Sequence, residues 1–138
     1  VKNPNKYIRT AHITALAGIG ASVWAKKVPK DTKPIPKKYV LITSQSKNTT
    51  AEDKDGFEWL CTIVIDIISI LEPGYSKPEI VDDLEEQINE IVLAEIAIPG
   101  FINKEVRLID SRDLDAETSS QSIERRVLTF QYWVNNVD

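Results

Sequence analysis

From Phe57 to Leu71 apolar and polar residues alternate. The odd positions Phe57, Trp59, Cys61, Ile63, Ile65, Ile67 and Leu71 are apolar, interrupted only by Ser69. The even positions start polar or mixed, at Glu58, Leu60, Thr62, Val64 and Asp66, and turn apolar at Ile68 and Ile70. A period of two puts alternate side chains on opposite faces, so this stretch predicts a strand with one face in a core. Its Ile and Val residues suit a pleated surface better than a helix. Apolar residues on both faces at the Ile68 end call for cover from two sides. A straight strand of this length would run about 50 Å. A domain of 138 residues is only about 37 Å across. The strand is therefore expected to bend, carry a bulge or protrude.

The flanking segments read as follows. Asn3-Pro4 opens a helix to about Ala17, with Tyr7, Ile8, Ala11, Ala15 and Leu16 at helical spacing and Gly18 or Gly20 as its stop. His12 lies on this helix without accompanying partners and is expected at the surface or rim. Ala21 to Ala25 predicts a short strand. Lys26 to Lys38 forms a proline- and lysine-rich arm with Pro29, Pro34 and Pro36, a composition that favours an extended, solvated path. It is either a lysine-decorated connection or an arm that lies on an acidic neighbour. Tyr39 to Gln45 is a second strand, and the polar Ser46 to Gly56 is expected to be a long hairpin loop.

Pro73-Gly74 ends the long strand, and Ser76-Lys77-Pro78-Glu79 predicts a capping box. In the helix from Lys77 to Leu93, Ile80, Leu84, Ile88, Ile91 and Val92 form an apolar stripe. Its outer face carries Asp82, Asp83, Glu85, Glu86 and Glu90, which is either a solvated face or a surface for a basic partner. Glu105 to Asp110 and Ile123 to Val134 supply the remaining long strands. The expected fold is one α+β domain over 1–138: a mostly antiparallel sheet with a long β-hairpin and two main helices packed on one face.

The net charge of −4 and the pI near 5.1 remove a global basic footprint for nucleic acid. The single cysteine excludes an internal disulfide framework, and Cys61 reads as a small buried hydrophobe. No signal-peptide pattern opens the chain, which makes cytoplasmic the default expectation, and no apolar run is long enough to span a bilayer. Catalytic constellations are missing together: no Cys–His spacing, phosphate-cradling glycine loop, His-x-x-x-His or Cys-x-x-Cys. Asp53-Lys54-Asp55-Gly56 matches part of a calcium loop, but Ala51 and Thr62 would stand where its first and last oxygen ligands belong. Asp110, Asp113, Asp115 and Glu117 read as surface charge rather than as a metal or acid–base site. The expectation is a non-enzymatic protein with no cofactor, no metal and no membrane partner.

In element order the chain resembles the tail-terminator or tail-completion proteins of tailed bacteriophages and the related neck and head–tail connector proteins. The residues carrying this are the opening helix Tyr7 to Leu16, the strand entry Pro36-Lys37-Lys38-Tyr39-Val40, the strand Phe57 to Leu71 and the helix Lys77 to Leu93. The closing pair, Val106 to Ser111 and Ile123 to Phe130, resembles the family's last two strands. The arm and the hairpin loop look longer than a minimal member needs. The resemblance implies a virion structural subunit, assembled in the bacterial host cytoplasm, that forms a homo-oligomeric ring, a hexamer or dodecamer. Such a ring caps the tail tube or joins it to the head, contacts other tail, neck or portal proteins, and leaves a channel through which DNA passes without specific binding.

Interface candidates are Lys26, Lys27, Lys30 and Lys33 of the arm, Ile68 and Ile70, and Asp82, Asp83 and Glu86. Lys47, Glu52, Asp53, Lys54 and Asp55 of the hairpin would meet an adjacent ring or the lumen. The competing expectation is a monomeric adaptor that adds a peptide strand to an exposed sheet edge.

Overall fold

Asn3 and Pro4 start the first helix as their chemistry predicts. The Asn3 side chain accepts from the Asn5 N–H at 3.1 Å, and Pro4 sits in the first turn, where its missing N–H costs nothing. The computed structural model describes residues 2–53 and 56–137, and the side chains of 50–53, 56 and 57 lie outside that description. Along the chain come α1 (Pro4–Ala15), β1 (Ser22–Ala25), β2 (Lys38–Asp53), β3 (Gly56–Leu71), α2 (Pro78–Val92), β4 (Phe101–Asp113), β5 (Ala116–Glu117) and β6 (Ser122–Asn136). The fold is α+β, with the strands in one sheet of order β1-β2-β3-β6-β4 and β5 paired to β6.

Every strand pair is antiparallel except β1–β2. A parallel pair cannot be joined by a tight turn, because the chain must travel back to the starting end. Residues 26–37 make that return. Lys26 N–H donates to the Ile42 carbonyl at 2.8 Å, and the Lys37 carbonyl accepts from Ile70 N–H at 2.7 Å, so both ends of the crossover are tied to the sheet.

The long strand β3 runs without interruption against β6, from Glu58↔Asn135 to Leu71↔Ser122. The irregularities fall on the strands outside this pair. β2 shifts register between Ile42 and Ser44 and again between Thr49 and Ala51. β4 shifts between Asn103 and Glu105 and between Leu108 and Asp110. An extra residue bends its strand and tightens the local twist. The long strand β3 itself carries no bulge against β6; the bulges lie in its neighbour β2 and in β4.

The bulge at Thr43 also reverses which parity of β2 faces the helices. In β2, Val40 and Ile42 face the core, and past Thr43 the side chains opposite Ile63 and Cys61 are Gln45 and Lys47. This overturns the expected hairpin loop over Ser46 to Gly56. Strand pairing continues to Asp53↔Gly56. The segment is polar because it is a ladder with little core beneath it, and polarity alone does not separate such a strand from a loop.

Both helices lie on one face of the sheet. Ile8 and Leu16 of α1, and Val81, Leu84, Ile88 and Val92 of α2, pack with Val40, Ile42, Cys61, Ile63, Ile65, Ile67, Leu128, Phe130, Tyr132 and Val134. The capping box is not formed as expected. Lys77 occupies the N-cap of α2 without a side-chain bond. Instead Glu124 of β6 accepts from the Ser76 hydroxyl and the Lys77 N–H, both at 2.8 Å, and so places a carboxylate at the positive end of the helix.

Candidate interaction surfaces

His12, expected at the rim, is completely buried. A carbonyl oxygen can only accept, so Nδ1–H donates to the Ile8 carbonyl (2.7 Å) and Nε2 accepts from the Tyr132 hydroxyl (2.6 Å). Burial lowers the His12 pKa to about 4, against the opposing effect of the Ile8 hydrogen bond, and raises that of Tyr132. The ring is a neutral core strut. Its place was legible from helical spacing, since Ile8, His12 and Leu16 recur every four residues on one face. Cys61 is buried, and burial raises its thiol to about 12, the profile of a packing residue rather than a nucleophile.

Asp110 and Asp113 do not converge. They lie opposite Thr129 and Arg126 of β6, whose side chains take opposite faces, and Asp113 is held by Arg126 Nε at 2.8 Å. Among the described residues, no group of three or more His, Cys, Asp or Glu could hold a metal ion.

The face of the sheet opposite the helices is more informative. Its Ile68 end holds an open groove of about 580 Å³. Tyr39 and Leu41 of β2, Ile68 and Ile70 of β3, and Ile123 of β6 form its floor. Ile35 of the crossover and Leu114, after β4, stand on its rim. Within the floor Leu41 and Ile68 are under a tenth exposed and Tyr39, Ile70 and Ile123 are half-buried, whereas Ile35 is 55% and Leu114 45% exposed. Asp66 is buried at the polar side of the groove, where it accepts from Thr43 Oγ1 at 3.2 Å and Arg125 Nε at 2.7 Å and pairs with the guanidinium. Thr43 is the bulge residue of β2, so the irregularity supplies this contact.

The remaining interface candidates fall in separate places. Lys26, Lys27, Lys30 and Lys33 are exposed along the crossover. Asp82 is not free for a neighbour: Arg126 Nη1 pairs with it and with Glu85 (3.1 Å), clamping α2 to the β4–β6 hairpin. The three carboxylates, Asp113 first, push the Arg126 pKa further up. Asp83 and Glu86 stay exposed. In the hairpin, Lys47 Nζ donates to Asn3 Oδ1 at 2.8 Å and lies over the Trp59 ring, so it anchors the start of α1. Glu52 and Asp53 belong to β2, while Lys54 and Asp55 lie outside the described residues.

These features define a two-layer α+β protein with one helix-covered and one open sheet face. The fold has a full-length counterpart among solved structures. A chain from a structure described as the virion of a native gene transfer agent (GTA) particle superposes with a TM-score of 0.76 and covers 99% of this chain and 100% of its own length. The two are 15% identical, so the likeness establishes the fold. No protein-family model matches the chain, and no curated protein matches it.

Proposed function

We propose that this chain is a non-enzymatic structural subunit of a phage-like particle that assembles into a ring at the tail end or neck and leaves a channel for DNA. The observation that carries the reading is the end-to-end match to a chain of a GTA virion particle. Three features of this chain support it. The strands β2 and β3 each run for 16 residues, the open face holds an apolar groove, and the exposed lysines of residues 26–37 and the exposed Asp83, Glu86 and Glu90 lie on different elements. Surfaces that differ on the two sides of a contact join copies head to tail, and such contacts close into rings when the rotation allows. A net negative subunit lets DNA slide by avoiding the phosphate contacts that would hold it. The particle is its place of work, after synthesis in the host cytoplasm.

The test is light scattering after size exclusion, alone and with tube or portal partner proteins, followed by imaging of the product. A multi-subunit ring is expected, and a monomer inert to every particle protein overturns the reading. The adaptor reading has the free sheet edges, β1 and β4, in its favour. The edge strand β1 is 4 residues long, and β4 carries two bulges and the charges Lys104, Glu105, Arg107, Asp110 and Arg112, devices that discourage strand addition.

A further inference from the structure

The groove on the open face has an apolar floor bordered by positive charge. Its rim residue Ile35 is flanked by Lys33 and Lys37, and Lys37 itself lines the groove. At the groove's polar side the Asp66 charge is already matched by Arg125. What remains at the mouth is unbalanced positive charge: among the described residues, neither Lys33 nor Lys37 is in an ion pair. A fitting occupant therefore carries a solvent-exposed hydrophobe bordered by unpaired carboxylates.

Among the described residues, Leu93 is such a place. Leu93, at the C-terminal cap of α2, is 44% exposed. Glu86 and Glu90 precede it by seven and three residues, on the same side of the helix, and Glu95 follows it; among the described residues none of the three is in an ion pair. The other exposed hydrophobes fit less well. Ile35 and Leu114 belong to the groove itself, Ile102 and Ile109 lie on β4 among charges of both signs, Tyr75 carries a phenol hydroxyl and has Lys77 two residues away beside Glu72 and Glu79, and Val137 follows the uncharged Val134, Asn135 and Asn136. Within one molecule Leu93 cannot reach the groove, because α2 covers the opposite face of the sheet.

We propose that the groove receives Leu93 from a second copy of this chain, with Glu86, Glu90 and Glu95 of that copy facing Lys33 and Lys37. The contact rests on the ring reading and gives it a specific joint. The open face of one subunit meets the helical layer of the next, an arrangement that repeats in one direction.

The test is disulfide trapping between two variants. Cys61 is buried and its thiol stays protonated, so introduced cysteines report alone. An equimolar mixture of Ile35→Cys and Leu93→Cys proteins under mild oxidation should give at least tenfold more mixed dimer than Ile35→Cys with Ile102→Cys, a site of similar exposure. Adding K33E and K37E to the Ile35→Cys protein should cut the yield at least fivefold, and adding E86K and E90K to its Leu93→Cys partner should restore it. Equal yields for the two cysteine pairs, or no restoration by the second charge reversal, overturn the contact. If the wild-type chain still forms rings in that case, the contact fails and the ring reading stands. If it forms none, alone or with the tube and portal partner proteins, and the variants give no trapped dimer, both fall.

Discussion

The two faces of β3 share one backbone and one register but have been put to different uses. On the helix side, Ile63, Ile65 and Ile67 are sealed under α1 and α2. On the other side, Val64, Asp66, Ile68 and Ile70 are sheltered by their own strand neighbours, by a salt bridge and by two loop residues, and a groove remains. The first face is closed by long-range helix packing and holds the fold together. The second is covered only in part, with Ile35 and Leu114 exposed at the rim of its groove. An amphipathic strand thus need not have a wet face: its second face can be sheltered by strand neighbours and loop residues and still keep a groove.

Breaking the closed face should cost most. Ile65→Ala removes a fully buried side chain between both helices and the sheet, and denaturant melts should register a loss of about 4 kcal/mol. Val64→Ala, one residue away on the open face, should cost about 1 kcal/mol or less. Equal losses would erase the distinction between the faces.

Acid should act next, through His12. Its folded pKa lies near 4, below the ordinary 6.5, so between these values the unfolded chain binds more protons than the native one. Stability is therefore full above pH 6.5 and falls as pH drops toward 4, by on the order of 3 kcal/mol in all. Thermal melts over that range check it. Tyr132→Phe should cost a further 1–3 kcal/mol, roughly, at neutral pH by leaving Nε2 without its donor.

Cutting the Arg126 clamp with Arg126→Met should cost about 2 kcal/mol, a value moderated because Asp82 and Asp113 are more than half exposed. Hydrogen exchange should then rise in α2 before the sheet. The smallest effect sharpens the open face. Asp66→Asn should cost about 1 kcal/mol by weakening the bond to a partly exposed Arg125, and should leave Ile65 and its neighbours as protected as before.

The sequence was most legible where local pattern and tertiary packing agree. The alternation of β3, the stripe of α2 and the final strand are all in place, because each buries the residues its period sets apart. Three features were hidden. The bulge at Thr43 reverses parity, so Gln45 and Lys47 look out of phase with Val40 and Ile42 although all four face the helices. The distal hairpin is a ladder of polar residues, whose pairing is a backbone property. The capping of α2 comes from Glu124, about fifty residues downstream, and no local motif could announce it. Of the candidate surface, Ile68 and Ile70 were visible as excess apolar residues, whereas the rim residues Ile35 and Leu114 sit in segments that read as loops. Asp82 looked available and is engaged by an arginine from a different strand.

The placing of the bulges also bears on how such a chain can diverge. In β2 and β4 a spare residue is already absorbed, so losing or gaining one there shifts where the strand changes face and leaves its ends paired. In β3 or β6 the same event would turn every following side chain inside out. Over long descent, length changes should accumulate in the outer strands while the central two keep their count, so relatives of vanishing identity could still be recognised by the spacing of their middle pair.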